Sequence, residues 1–184
     1  MGETYQRSGW CSLMKWIIAR NKENITWSKG FNKVVVQKGI DLENLGREPS
    51  SYLWYIIKNY DVLEGEYTFV QGNFRNHDVN ILREYPKDIK DFKWHGTKTY
   101  TEDMHGGNND TCNTAWFIKE CNLKHSGEKI TFKGACLFSV TAERIRKRSL
   151  EFYKKMFDVL MSEENRSPWA FERCVGLIWG NEDE

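Results

Sequence analysis

The run Asn44-Leu45-Gly46-Arg47-Glu48 sets a glycine, a guanidinium and a carboxylate just ahead of an apolar helical pattern. A helix N-terminus presents unpaired N–H groups with positive partial charge, and arginine grips phosphate or carboxylate with paired bonds. This spacing therefore suits an anion or sugar site. The same residues also suit a plainer role, a turn glycine beside an Arg47–Glu48 loop ion pair. The strand-end sequence Phe69-Val70-Gln71-Gly72-Asn73 is a second candidate. In α/β sheets ligands sit outside the carboxyl ends of strands, where Gln71 and Asn73 offer neutral donors and acceptors. His77 and Asp78, just beyond, can serve as metal ligands, base or ribose contact, or stand as surface residues. Glu172 lies one residue from the core position Phe171, at the edge of a buried stripe. A carboxyl there is a general-base candidate, because desolvation raises its pKa, or else it pairs with Arg173 or an earlier arginine.

Other chemistries find little support. His105, Cys112, Cys121 and His125 match no familiar zinc spacing. No Gly-x-Ser-x-Gly elbow, Walker loop or Gly-x-Gly-x-x-Gly occurs, which argues against serine hydrolase, P-loop NTPase and Rossmann dehydrogenase. The 27 Lys and Arg against 26 Asp and Glu leave a net charge of +1, without the basic surplus of a nucleic-acid binder. The densest basic cluster, Arg144 to Arg148, is local.

The elements that must position these groups fit one compact domain of 184 residues with a polar surface. We expect an N-terminal arm over residues 1–12, a single α/β domain over 13–180 and an acidic tail over 181–184. No apolar stretch has membrane-spanning length, and the Leu13–Ala19 run, interrupted by Lys15, reads as a first strand rather than a signal peptide. Gln6 stands where a myristoylation motif beginning Met1-Gly2 needs Ser or Thr. Five cysteines, widely spaced, point to a reducing, cytoplasmic setting, so the sequons at Asn24 and Asn109 carry little weight.

Met14–Ala19 and Val34–Gln37 read as strands buried on both faces, as in a parallel sheet covered by helices. Ser50 or Ser51 caps a helix striped by Leu53, Ile56, Ile57 and Tyr60. Tyr67–Gln71 is a further strand, and the stretch from His95 to Thr111 reads as long loops. Phe132–Val140 reads as one strand. Thr141 caps a short helix over Ala142–Lys147, and Ser149 opens a second. Ser167-Pro168 launches the last, from Trp169 to Trp179, with Phe171, Cys174, Val175 and Ile178 on its core face. Trp54, Trp94, Trp116, Trp169 and Trp179 suit either sugar stacking or core packing.

The ordered set Ile18–Glu23, Val36–Gly39, Asn44–Glu48 with Tyr52-Leu53 and Asn59-Tyr60-Asp61, Phe69–Asn73 with His77, Gly134-Ala135 to Arg144-Ile145 and Phe171-Glu172-Arg173 resembles a domain-of-unknown-function family. The likeness spans residues 14–180. That family is similar in turn to nucleotide-sugar-dependent glycosyltransferases of the GT-A type. The resemblance implies a GT-A-like mixed sheet flanked by helices, and transfer of sugar from a nucleotide-sugar donor to a carbohydrate or glycoprotein acceptor. Carried onto this chain, the donor site uses Arg20, Asn21 and Glu23 at the end of the first strand, Arg47 with Glu48, and the Gln71-Gly72-Asn73 corner. Glu172 is then the base that activates an acceptor hydroxyl. One departure stands out, because GT-A enzymes mostly carry Asp-x-Asp where this chain has Gln71-Gly72-Asn73. Three outcomes stay open. Arg47 and helix N–H groups meet the leaving-group charge, or His77 and Asp78 hold Mn²⁺ or Mg²⁺, or the fold is a non-catalytic nucleotide- or carbohydrate-binding module.

Overall fold

The computed structural model describes residues 14–76, 81–82, 89–104 and 113–180. Three parallel strands, β1 (Met14–Arg20), β2 (Lys33–Gln37) and β3 (Glu66–Gln71), form one side of a five-stranded sheet. Trp16, Ile17 and Ile18 are fully buried, because β1 is central and covered on both faces. The sheet is completed by β4 (Phe92–Trp94) and β7 (Phe138–Thr141), in the order β2-β1-β3-β7-β4. Since β7 runs antiparallel to β3 and β4, the sheet is mixed. Two further strands, β5 (Thr99–Asp103) and β6 (Lys129–Lys133), pair as a separate antiparallel ribbon.

One sheet face packs on α1 (Arg47–Asn59), α2 (Thr114–Glu120), α4 (Leu150–Ser162) and α5 (Ser167–Trp179) through Tyr52, Ile56, Phe117, Tyr153, Met156 and Phe171. The short α3 (Ala142–Arg146) follows β7 directly. On the other face Trp16 meets Trp27 and Phe31 edge-on, with ring centroids 6.1 and 5.0 Å away. Trp179 anchors α5, stacked 4.3 Å from Phe138 with its indole N–H on the Tyr153 hydroxyl. Among the described residues no helix is long and apolar enough to cross a membrane.

Several local expectations are corrected. Neither Ser50 nor Ser51 caps α1, which begins at Arg47 after a left-handed Gly46 (φ 68°). Pro49 belongs in a first helical turn, where its missing N–H leaves no bond unmade, so both serines fall inside the helix and are buried. Phe132–Val140 is not one strand. It divides into β6 and β7 at Gly134–Leu137, where Ala135 and Cys136 take φ of 81° and 46° and turn the chain from the ribbon into the sheet. Part of the expected loop over His95–Thr111 is the strand β5, whose partner β6 supplies the ladder. The last helix starts at Ser167 with Pro168 in its first turn, after a left-handed Arg166, and Ser167 makes no cap. Thr141 and Ser149 do cap, accepting from the N–H groups of Arg144 and Phe152. The N-terminal arm and the acidic tail lie outside the described residues.

Candidate functional site

The entry to α1 is built by three contacts. Gly46 occurs where a Cβ would stand 2.8 Å from that of Ser50, and its N–H donates to Glu163 Oε1 at 2.8 Å. The Lys38 ammonium is drawn inward onto the Leu45 carbonyl and the Ser50 hydroxyl, the latter at 2.5 Å. Burial pushes the Lys38 pKa down to about 8, against the pull of Glu48 and Glu163. The result fixes Arg47, itself at φ 48°, with its guanidinium 4.7 Å over the Trp169 ring and 3.5 Å from Glu48. The Arg47–Glu48 ion pair of the plain reading is present, but in the first turn of α1 rather than in a loop, together with a stacking contact that sequence spacing does not reveal.

Arg47 and Glu48 border a cleft of about 480 Å³. Gln71 enters it from the end of β3, Lys98 from just before the ribbon, Tyr100, Glu102 and Phe132 from the ribbon, and Trp169, Glu172 and Arg173 from α5. The Gly134-Ala135-Cys136 bend forms the remaining wall. Among the described lining residues, three cations (Arg47, Lys98, Arg173) face three carboxylates (Glu48, Glu102, Glu172).

Glu172 does not pair with Arg173. Its Oε1 accepts the Ala135 N–H at 2.7 Å, whereas Arg173 reaches Glu102 Oε2 at 2.6 Å and lays its guanidinium 5.0 Å from the Phe132 ring. Burial raises the Glu172 pKa, and the Ala135 N–H and Arg173 oppose that rise without cancelling it. Burial also pushes the Cys136 thiol well up, aided by Glu172 and Glu48, so this cysteine is a protonated wall rather than a thiolate nucleophile. Tyr52 is buried beside the same charges, and its hydroxyl has no hydrogen-bond partner among the described residues.

Backbone strain gathers here too. Arg47, Ala135 and Cys136 line the cleft with positive φ, and Arg166, also at positive φ, lays its guanidinium over Trp169. Non-glycine residues in this region cost free energy and concentrate at functional sites.

Arg20, Asn21, Glu23, Gly72 and Asn73 do not line the cleft. They make an adjoining corner where Arg20 Nε donates to the Glu23 carbonyl (2.9 Å) and the Asn21 N–H to Glu23 Oε2 (2.6 Å). Gly72 lets the Glu23 side chain lie over the end of β3, since a Cβ there would meet Glu23 Cβ at 2.9 Å. Trp27 donates its indole N–H to the Gly72 carbonyl. Asn73 is exposed. His77 and Asp78 lie outside the described residues, as do His105 and Cys112. Among the described residues no group of three His, Cys, Asp or Glu side chains is placed to hold a metal ion. Of the tryptophans weighed for sugar stacking, Trp169 alone lines this cleft, while Trp179 is core and Trp54, Trp94 and Trp116 pack against it.

Sequence reasoning did not single out Lys98, Tyr100, Glu102, Phe132 or Lys38 as site residues. A signal existed for the ribbon, because buried Ile130 and Phe132 alternate with exposed Lys129 and Thr131, the period of a strand. Compared with known proteins, the chain matches no protein-family model, no curated protein and no solved structure at a significant level.

Proposed function

We propose that this chain is a glycosyltransferase of the GT-A-like kind, a single domain over residues 13–180 acting in the cytoplasm. It would move sugar from a nucleotide-sugar donor to a carbohydrate or glycoprotein acceptor. One observation carries the reading: a carboxyl with a raised pKa, Glu172, faces the same cleft as Arg47 and Gln71, although the three come from separate elements. Glu172 takes the proton of an acceptor hydroxyl, and the oxygen bonds to the anomeric carbon as the bond from that carbon to the phosphate oxygen breaks. The diphosphate leaves with the electron pair, and Arg47 and Lys98 are the cations it meets. Gln71 offers an amide to the donor at the sheet end. The amides of Gln71 and Asn73 are poor ligands for Mn²⁺ or Mg²⁺ beside carboxylates, so no step is assigned to a metal.

A binding module without catalysis is the second reading. It is favoured by the pairing of Arg47 with Glu48 and of Arg173 with Glu102, which leaves less positive charge for a diphosphate.

Thermal unfolding with uridine, guanosine and thymidine diphosphates and their sugars, with Mn²⁺ or with EDTA, tests the proposal. A ligand at one hundred times its dissociation constant adds about 2.7 kcal/mol. The expected result is a nucleotide shift that survives EDTA and is lost in Arg47→Ala. A shift only with Mn²⁺ would transfer the donor role to His77 and Asp78, and no shift with any nucleotide would leave the binding module.

A further inference from the structure

The β5–β6 ribbon carries an aromatic surface that the donor chemistry leaves unused. Tyr100 is 42% exposed, one of few large apolar side chains so placed among the described residues, and it lines the cleft. Its ring is stacked on Phe132, with centroids 5.4 Å apart and planes 25° from parallel. Phe132 is backed by the Arg173 guanidinium, which Glu102 holds at 2.6 Å. The ring is thus fixed from beneath by a chain of contacts running back to α5.

Gly134 brings this ring to the candidate base. A Cβ on Gly134 would stand 3.1 Å from Tyr100 Cε2 and 3.7 Å from Glu172 Oε1, so ring edge and carboxyl oxygen border one methyl-sized space. Oε1 is engaged by the Ala135 N–H, and Oε2 makes no hydrogen bond among the described residues.

We propose that Tyr100 is the platform of the acceptor subsite and that the acceptor is a neutral pyranose, lying with its C–H face on the ring and one hydroxyl toward Glu172 Oε2. The choice of a neutral sugar rests on charge. The lining cations and carboxylates balance, and Arg173 is committed to Glu102, so an ionic acceptor finds no surplus of either sign. Sugar hydroxyls both donate and accept, which paired arginine and glutamate match, while the sugar's C–H face matches the negative face of an aromatic ring. This inference rests on the transferase reading for the role of Glu172, not for the stacking itself.

Titration calorimetry with cellotetraose, maltotetraose and chitotetraose tests it, on the full chain and on Tyr100→Ala and Tyr100→Phe. At least one saccharide should bind. Its affinity should fall about tenfold in Tyr100→Ala and stay nearly unchanged in Tyr100→Phe, with nucleoside diphosphate affinity unaltered in both. Saturation transfer from the Tyr100 ring protons to the saccharide in the unaltered chain gives the same answer should the alanine variant not fold. The proposal is overturned if none of the three binds, if Tyr100→Ala binds as before, or if the nucleotide is what Tyr100→Ala loses. Saccharide binding without nucleotide binding would overturn the transferase and leave the platform standing, and the reverse would do the opposite.

Discussion

The backbone N–H of Ala135 donates to Glu172 Oε1 at 2.7 Å, and Ala135 holds φ at 81° to do so. A strained bend between two sheets thereby positions a cleft carboxyl that burial tunes toward base chemistry. The bend and the candidate base are a single unit, and each can be tested through the other.

Replacing Glu172 by Gln keeps an oxygen for the Ala135 N–H but removes the base. Sugar transfer should fall by roughly 10²- to 10⁴-fold, the usual worth of a positioned acid or base. Nucleotide affinity should be unchanged in calorimetry. Unaltered turnover would remove Glu172 from the reaction.

The raised Glu172 pKa sets a sign for pH. Transfer should fall as pH drops through a value above the ordinary 4.5, because the base must be ionised. Stability runs the other way. Below 4.5 the carboxyl is protonated in both states, and as pH rises toward the folded value the unfolded chain ionises first, which weakens the fold. The melting temperature of Glu172→Gln relative to the unaltered chain should therefore climb from acid toward neutral pH. A constant difference across that window would show that the carboxyl is not desolvated.

Ala135→Gly relieves a left-handed conformation that costs an L-residue about 1–2 kcal/mol, offset by up to about 1 kcal/mol of added freedom in the unfolded chain. A small gain in stability is expected, with the Glu172-dependent pH profile kept. Ala135→Val, with its branched Cβ, should lose stability instead. Equal melting temperatures for the two would contradict the backbone geometry.

Arg173→Met removes the tie between α5 and the ribbon. Its side chain is only 9% exposed, but Glu102 keeps 40% of its own exposure, so a loss of about 1–3 kcal/mol is expected rather than that of a fully buried pair. Hydrogen exchange should locate it, with amides of β5 and β6 losing protection while β1 and β3 retain theirs. Uniform loss across the sheet would place the arginine in the general core.

Much of the parallel side of the sheet was legible because β-branched runs such as Val34–Val36 have few other homes. The caps at Thr141 and Ser149 and the inward face of α5 were legible for the same local reasons. The ribbon was not. Gly134 is the one turn-forming residue type in the bend, and Ala135 and Cys136 take positive φ with residue types that rarely do, so Phe132–Val140 reads as one unbroken strand. The start of α1 was misplaced because two serines look like caps, whereas Pro49 fixes the first turn. Within the site, Arg47, Glu48, Gln71 and Glu172 share the cleft. Tyr100 and the Arg173–Glu102 pair depend on contacts between segments far apart in the chain, which local pattern does not encode.

The arrangement of the cleft also couples two distant stretches of the chain. Arg47 and Gln71 stand on the parallel strands and first helix, which are contiguous in the chain, while Glu172 arrives on the last helix. The two sides are far apart in the chain and are joined through one core, in which Tyr52 of α1 and Phe171 of α5 are both buried. The base thus meets the donor side only when α5 docks. A ligand that touches both sides should therefore slow the local opening of α5 as well as that of α1 in native-state hydrogen exchange, since both must be docked for it to bind.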